Sequence, residues 1–461
     1  MRPRVAPSRR ARHRLRRSLA RWLMLFLVGT TSAGRAQDVP IPPSVLLPNY
    51  DRVQPGLIEA LEAGAFIARA RNAPAVAYNP AGISLSERTS LNASTQGYWL
   101  TVLGGSGFEH ASPVSNFASM PSFLGIVLGR DLVGWEKVRL GFAVVTPVHW
   151  DQSVIATTEP APGQRASYSV HSSISTTTPT VSVGWALSPS VRLGASIEFP
   201  YTSLSDQGQL SGELTTASTS QGSIRNVTLG GSTLDVVGVV GAQWQPLRWL
   251  QLGLVFRSPG LKILSTGSLD IESLTTLPSG TRHTYFSDRD ARFEYRTPME
   301  VSLGAAFEVG RMQFEVDLRW HDGTHTYPLF SSTEQGRVVD TSSGAPVVSS
   351  FDFPGVPYRA RPVLNGSVGA HFTLTQAVNL SAGVYLDQSP VDLLGQGFRR
   401  VDLIGFRTGV GLQLGPFGAS VGIGWEYGKA TDDLAPDAAQ SQREELTLNT
   451  FSVLFSVSYK F

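Results

Sequence analysis

The stretch Phe-Ser-Val-Leu-Phe-Ser-Val-Ser-Tyr-Lys-Phe at positions 451–461 decides the fold class. Aromatic or branched side chains fill every second position from Phe451 to Phe461, and three of the five positions between them are serine. Successive side chains of a β-strand point to opposite faces, so this alternation predicts a strand with one apolar and one mostly polar face. A soluble sheet seldom finishes on an exposed aromatic stripe, which favours a strand whose apolar face meets lipid.

The same alternation recurs upstream, for example in segments 250–256, 312–321, 378–387 and 417–427. In a membrane barrel the apolar face of each strand meets lipid and the polar face lines a lumen. About 9–11 residues suffice for such a strand to cross the bilayer. Only 16% of the residues are charged, whereas soluble proteins carry roughly 25%. After residue 30 the apolar residues are interrupted too often for a membrane-spanning helix, so the sequence predicts an all-β membrane protein.

Fourteen segments follow this pattern and predict a 14-stranded antiparallel transmembrane β-barrel. They lie at 89–103, 120–130, 138–148, 168–187, 191–203, 233–245, 250–258, 292–308, 312–322, 360–374, 378–387, 403–414, 417–428 and 446–461. Short turns are predicted at 131–137, 188–190, 246–249, 309–311, 375–377 and 415–416, and long polar loops at 104–119, 149–167, 204–232, 259–291, 323–359, 388–402 and 429–445. Outer-membrane barrels have short periplasmic turns and long outer loops. The even strand number places both ends of the barrel domain, residues 89–461, in the periplasm.

The first 36 residues are expected to form a secretory signal peptide, cleaved before Gln37. They contain ten arginines, a short apolar stretch from Trp22 to Val28, and the small residues Gly34 and Ala36. Without these ten arginines, the 38 basic residues fall to 28 against 36 acidic ones, a net charge of −8. The basic character therefore belongs to the signal, and no nucleic-acid partner is expected.

Residues 37–88 do not alternate and are expected to be an N-terminal extension followed by a hatch that folds back into the lumen. The stretch from Leu57 to Arg71 predicts a short helix. Pro80 restricts the residue before it to extended geometry, and Gly82 permits a sharp reversal. A periplasmic tail is the alternative interpretation, but the apolar side chains of this segment would then have nothing to bury against.

The stretch 68–82, ARARNAPAVAYNPAG, resembles the hatch motif of the FadL-type outer-membrane transporters for long-chain fatty acids, a family that includes toluene and xylene channels. The sequence LGLVFRS at 252–258 and the ending Tyr459-Lys460-Phe461 are similar to other segments of that family. The resemblance spans residues 60–461. It implies a monomeric, 14-stranded barrel in the outer membrane of a Gram-negative bacterium, plugged by its N-terminal hatch and surrounded by outer-membrane lipids. The terminal strand resembles the signal that the barrel assembly machinery recognises.

The resemblance also implies passive uptake of hydrophobic molecules, either long-chain fatty acids or aromatic hydrocarbons. Such ligands are captured between outer loops, reach a lumenal pocket near the hatch, and leave sideways through a kink in strand 3. Apolar hatch residues would form pocket walls, an asparagine would satisfy buried backbone groups, and a lumenal arginine would hold a ligand carboxylate. The expected ligand-binding residues are Phe66, Ile67, Tyr78, Asn79, Pro80, Ala81, Arg257 and Arg319. The extension before the hatch is longer and richer in proline than in the family, and the outer loops lack an obvious apolar capture groove.

Two other functions stay open. The barrel could serve secretion or act as a surface scaffold without transporting anything. It could also be an enzyme that acts on lipids, using His149 and Ser153 in an outer loop, although no catalytic motif supports this. Neither a cofactor nor a metal is expected, because the histidines of the sequence His321-Asp322-Gly323-Thr324-His325 lie at a strand end and not on a helix face. The charges predicted to face the lumen, among them Glu315 and Asp317, could form a structural network that holds the hatch.

Overall fold

The computed structural model describes residues 47–105, 120–161, 163–215, 220–392, 400–433 and 443–461. The first strands are β1 (Ser90–Gly105), β2 (Met120–Leu128), β3 (Val138–Ala161), β4 (Gln164–Ala186), β5 (Val191–Glu198), β6 (Tyr201–Thr215), β7 (Ser220–Leu247), β8 (Leu250–Arg257), β9 (Leu261–Leu277) and β10 (Gly280–Phe293). They are followed by β11 (Glu300–Val309), β12 (Met312–His321), β13 (Tyr327–Ser331), β14 (Gln335–Asp340), β15 (Val347–Asp352), β16 (Val356–Tyr358), β17 (Val363–Thr373), β18 (Val378–Asp387), β19 (Asp402–Leu414), β20 (Phe417–Asp433) and β21 (Arg443–Lys460). The helices are α1 (Ala75–Tyr78), a 3-10 helix (Pro80–Leu85) and α2 (Arg130–Val133).

Fourteen of these strands pair in a closed antiparallel ring. The ring runs β1, β2, β3, β4, β5, β7, β8, β11, β12, β17, β18, β19, β20, β21 and back to β1. The last contact closes the barrel, because β1 and β21 pair along almost their whole length. The predicted 14-stranded barrel is therefore confirmed. Within the described residues, no helix is long and apolar enough to cross a membrane.

The two faces of each ring strand differ in the way that the sequence predicts. On β12, Val316, Leu318 and Trp320 are exposed on the outside, while Glu315 and Asp317 are fully buried on the inside. On β21, the exposed stripe that includes Phe455 and Val457 alternates in the same way with buried serines. An apolar belt thus surrounds the barrel, and its polar groups are gathered in the lumen, as in an outer-membrane barrel.

Each of the fourteen predicted strands has a counterpart in the ring, but the prediction for the eighth was wrong at its start. It begins at Glu300, not at position 292, because the chain at 294–299 leaves the wall. The long polar loops were wrong as unpaired segments, since β6, β9, β10 and β13–β16 lie within them. Their Ser, Thr and Gly residues still alternate with apolar ones, as in β9, where Leu269 and Ile271 are buried. The turn at 131–137 contains α2.

The outer part of the barrel wall continues the ring strands. β5 and β6 pair one after the other with both β4 and β7, so they act as a single long strand interrupted at 199–200. β8 and β9 likewise pair in succession with β7. Inside this upper wall lies an aromatic core that includes Trp150, Phe286, Phe293 and Phe330.

Residues 47–88, here called the inner segment, lie inside the barrel against lumen-facing side chains. The predicted helix from Leu57 to Arg71 was wrong: this stretch consists of turns and bends. Ala63 and Gly64 have positive φ angles of 55° and 73°, which an α-helix does not allow. The predicted signal peptide (1–36) and the first part of the extension (37–46) lie outside the described residues, so both stay predictions.

Candidate functional site

Two carboxylates of β12 hold the backbone of the inner segment. One oxygen of Asp317 accepts hydrogen bonds from the amides of Phe66 (2.7 Å) and Ile67 (3.1 Å). Glu315 accepts a third from the amide of Ala68 at 2.5 Å. Three consecutive N–H groups are thus satisfied by side chains of the wall, so they are not available for helical hydrogen bonds. This is the physical reason why the predicted helix does not form here.

Arg69 extends this polar contact into a buried ion network. Its Nε lies 2.7 Å from Glu315, and its Nη2 contacts Glu62. Burial raises the pKa of Glu62, but the nearby Arg69 guanidinium and a hydrogen bond with His371 outweigh burial and hold that pKa below its ordinary value. Charges removed from water in this way are stable only while paired, and removing one partner typically costs about 3–5 kcal/mol.

At a second part of the wall, formed by β4, β5 and β7, the inner segment meets glycines. A Cβ atom built on Gly194 of β5 would lie 2.3 Å from the amide nitrogen of Ala81, and one on Gly241 of β7 would lie 2.2 Å from Oδ1 of Asn79. Gly184 and Gly194 are paired neighbours in the ladder, and so are Gly194 and Gly241. These three neighbouring strands therefore present no side chain at this level, and the backbone of the inner segment fills the space.

Asn79 fixes the position of this reversal. Its side-chain Nδ2 donates to the carbonyls of Ile67 and Ala242, both at 3.0 Å, and its Oδ1 accepts from the amide of Ala81 at 3.2 Å. Its backbone is extended, with φ −156° and ψ 107°, as expected for a residue before proline. One buried amide thus joins two parts of the inner segment to β7.

A cavity of about 180 Å³ lies beside the inner segment. Its apolar lining includes three tyrosines and four prolines as well as several valines. The lining residues are Tyr50, Asp51, Val53, Gln54, Pro55, Ile67, Ala77, Tyr78, Val145, Pro147, Val148, Thr176, Thr178, Glu198, Pro200, Thr202, Val237, Arg257, Tyr295, Thr297, Pro298, Glu300, Arg319 and His321.

Four of the eight predicted ligand-binding residues line this cavity: Ile67, Tyr78, Arg257 and Arg319. The other four do not. Phe66 packs against the ring of Tyr78 with 5.9 Å between centroids, whereas Asn79, Pro80 and Ala81 lie against the glycines of the wall.

Both arginines of the cavity are already engaged with carboxylates. Arg257 lies 2.7 Å from Glu300 and 3.3 Å from Glu198. Arg319 lies 3.4 Å from Asp51 and 3.8 Å from Asp317, and it donates to the carbonyl of Gly64 at 2.5 Å. The charge of each guanidinium is therefore already balanced by carboxylates, with which a ligand carboxylate would compete.

Sequence reasoning missed several lining residues. Asp51 accepts a hydrogen bond from Nδ2 of Asn365 (2.7 Å) and is hydrogen-bonded to Nε2 of His321 (3.1 Å). It precedes the hatch motif, in a polar stretch that carries no periodicity, so no sequence signal marked it. Tyr295 and Pro298 lie in the stretch that was wrongly predicted as strand.

The arrangement offers no catalytic pair at the positions considered from the sequence. His149 and Ser153 both lie on β3, four residues apart, which corresponds to about 13 Å along a strand. In the part of the chain that the structure describes, no three His, Cys, Asp or Glu side chains are grouped to hold a metal ion. His321 is engaged with Asp51.

No protein-family profile matches the sequence, and no curated protein matches it. Solved structures do match. A Pseudomonas aeruginosa FadL homologue is 13% identical, with 90% of this chain and 99% of that chain covered and a TM-score of 0.54. The Ralstonia pickettii toluene transporter TbuX is 12% identical (90% and 99% covered, TM-score 0.55), and the Pseudomonas putida toluene transporter TodX is 12% identical (90% and 100% covered, TM-score 0.57). A closed ring of fourteen strands, an apolar outer belt and this likeness lead to one conclusion: the chain has the fold of the FadL-type channels of the bacterial outer membrane.

Proposed function

We propose that this protein is a channel for passive uptake of small, neutral hydrophobic molecules across the outer membrane. The observation that carries the proposal is the cavity between the inner segment and the wall, whose lining combines tyrosine, proline and valine with charged groups that are already paired with one another. Such a lining is typical of small-molecule sites. The inner segment acts as the hatch, because it lies in the lumen, bound by side chains of β12 and packed on glycines of β5 and β7.

The size of the cavity favours a single aromatic ring over a long-chain fatty acid. It measures about 180 Å³, and an apolar cavity of roughly 150 Å³ binds benzene. A sixteen-carbon fatty acid has about three times as many heavy atoms as benzene and does not fit into this space. The toluene transporters TbuX and TodX have a similar fold, which agrees with this choice.

The charges around the cavity favour a neutral ligand. Three carboxylates line it, those of Asp51, Glu198 and Glu300, and the two lining arginines are each paired with two acids. A ligand carboxylate would lose its water and meet carboxylates of like charge, which is unfavourable. We infer that Arg257 and Arg319 hold the shape of the cavity and do not bind an anionic headgroup.

A bulge in β3 supports the sideways exit that the family resemblance implies. The register with β4 shifts between Val145 and Val148, and both of these residues line the cavity together with Pro147. The amide of Val53 donates to the carbonyl of Pro147 at 3.1 Å. The inner segment therefore touches the bulge directly, so a movement of one would alter the other.

The test is uptake of radiolabelled toluene, benzoate and hexadecanoate into liposomes that contain the purified protein. We expect saturable uptake of toluene and little uptake of either carboxylate. A protein with Asn79-Pro80-Ala81 replaced by three glycines should conduct more ions in planar bilayers and lose saturable uptake. Toluene uptake equal to that of empty liposomes would favour a secretion-associated or scaffold barrel instead. Monomeric state, recognition by the barrel assembly machinery and the absence of catalysis are parts of the same proposal.

A further inference from the structure

The wall of the barrel has an interrupted ladder beside the cavity. β8 pairs with β11 up to the pair Arg257–Glu300, and β9 pairs with β10 only from the pair Gly267–Ala291 onward. Between these two ladders, residues 258–266 on one side and 292–299 on the other form no strand pairs with each other. We call this interruption the side slot.

The chain on one side of the side slot turns into the barrel. Phe293 at the end of β10 is fully buried, and a Cβ on Gly231 of β7 would lie 2.4 Å from it. Phe293 also pairs with Phe330 of β13, inside the wall. The stretch from Glu294 to Pro298 then returns to the wall at β11 without joining the ladder of β9.

Few contacts bridge the side slot. The amide of Gly260 donates to the carbonyl of Thr297 at 3.0 Å. Lys262 forms an ion pair with Glu294 at 3.0 Å, in which the two side chains are 42% and 24% exposed. Ser265 donates to the carbonyl of Phe293. An intact antiparallel ladder of this length would be joined by regularly spaced backbone hydrogen bonds instead.

The side slot connects an apolar outer surface with the cavity. Leu261, Ile263 and Leu264 at its outer lip are 72%, 52% and 61% exposed. They extend the lipid-facing belt upward from Phe256 on β8. On the inner side, Thr297 and Pro298 are only partly buried and line the cavity. The stretch 294–298 thus lies between the lip, which Glu294 contacts through Lys262, and the cavity, which Thr297 and Pro298 line.

We propose that the side slot is a second lateral gate, through which a neutral hydrophobic molecule passes between the cavity and the outer leaflet. The gate opens when the stretch 294–298 moves away from Gly260 and Lys262. This inference rests on the proposed function, since it names a route for the same ligands. It differs from the exit at the β3 bulge, which lies on another part of the ring.

A disulfide across the side slot tests the gate. The chain has no cysteine, so the double variant Gly260→Cys/Thr297→Cys gives one defined bond. A Cβ on Gly260 would lie 2.9 Å from the Cβ of Thr297, and a shift of under 1 Å reaches the 3.5–4.5 Å that disulfides need. The matched control is Thr276→Cys/Thr281→Cys, which joins paired residues of the intact ladder between β9 and β10.

We expect the oxidised side-slot variant to take up toluene into liposomes at least threefold more slowly than the same protein after reduction. The reduced form shows that the variant folds, and the control should be unchanged by oxidation. A second variant, Lys262→Ala/Glu294→Ala, should take up toluene faster than wild type. If wild type transports toluene and the oxidised and reduced side-slot variants take it up equally fast, the proposal of a second gate is overturned. The proposed channel function would then still stand. A wild type without saturable uptake would overturn the proposed function itself.

Discussion

The inner segment is held by two parts of the barrel wall in different ways. On β12, Glu315 and Asp317 reach inward and bind backbone amides and Arg69. On β5 and β7, the residues that face the inner segment are glycines such as Gly194 and Gly241, so the inner segment lies directly on the wall backbone. Hydrogen bonds and ion pairs fix the position of the inner segment at β12, and close steric fit fixes it at β5 and β7. A charge that loses its partner in a closed lumen is costly, whereas a close fit tolerates small losses but no added atoms.

The largest effect is expected on the charged side. Glu315→Ala leaves the amide of Ala68 without an acceptor and removes one of the two carboxylates that pair with Arg69. We expect a loss of about 3–5 kcal/mol in unfolding free energy, because a buried charge is left underpaired. Ion conductance in planar bilayers should also rise as the inner segment loosens. Thermal unfolding in detergent measures the first quantity.

The control for this variant is Glu308→Ala on β11, which removes an acid that shares the lumenal parity but is exposed. If both variants unfold at the same temperature as wild type, then the charges of β12 do not hold the inner segment.

The next prediction tests the close fit between the inner segment and the glycines of β5 and β7. Gly194→Val places atoms where the amide of Ala81 and the carbonyl of Pro80 already lie, at 2.3 and 2.5 Å from the new Cβ. Since the obstacle is backbone, the inner segment must shift, and we expect a loss of about 3 kcal/mol or less together with higher conductance. Gly238 on β7 faces outward, and a Cβ built on it would lie 3.8 Å from Oγ of Ser258, so Gly238→Val should match wild type. A similar result for both glycines would contradict the close fit.

A smaller effect is expected at the residue that joins the two parts of the inner segment. Asn79→Ala removes three hydrogen bonds and leaves the carbonyls of Ile67 and Ala242 with fewer donors. The expected cost is about 2 kcal/mol, because buried polar groups then lack partners. Saturable toluene uptake should weaken while barrel insertion stays normal, which immunoblotting of outer membranes would show. Wild-type uptake by this variant would mean that the glycines alone position the reversal.

The smallest effect is expected at an exposed ion pair of the upper wall that does not involve the inner segment. His283 and Glu272 pair at 3.0 Å, with side chains that are 38% and 54% exposed. His283→Ala should change the unfolding free energy by no more than about 0.5 kcal/mol, since exposed ion pairs contribute little. A large decrease in melting temperature would show that the upper wall and the lumen unfold as one unit through contacts of this kind.

Sequence periodicity was sufficient to predict the membrane-spanning strands, because the lipid imposes the same alternation on each of them. Every second residue must face hydrocarbon, so Val316, Leu318 and Trp320 reveal both the strand and its orientation. The same parity correctly placed Glu315, Asp317, Arg257 and Arg319 inside the barrel.

The inner segment obeys no such rule, and the prediction was poorer there. Its backbone is shaped by side chains that are about 250 positions away in sequence, as with Asp317 and Phe66. No local pattern in Leu57–Arg71 indicates the contact with Asp317. The helix predicted from local composition was therefore wrong. The turn at Asn79-Pro80 was predictable because proline restricts its neighbour locally.

The length of β3 and β4 has a consequence for where the protein meets its environment. They contain 24 and 23 residues, and about 9–11 suffice to cross the bilayer. The excess of about 13 residues, at roughly 3.3 Å each and tilted by about 40°, lifts the rim roughly 30 Å above the apolar belt. The mouth of the barrel therefore stands in the surrounding water, well beyond the lipid-facing belt.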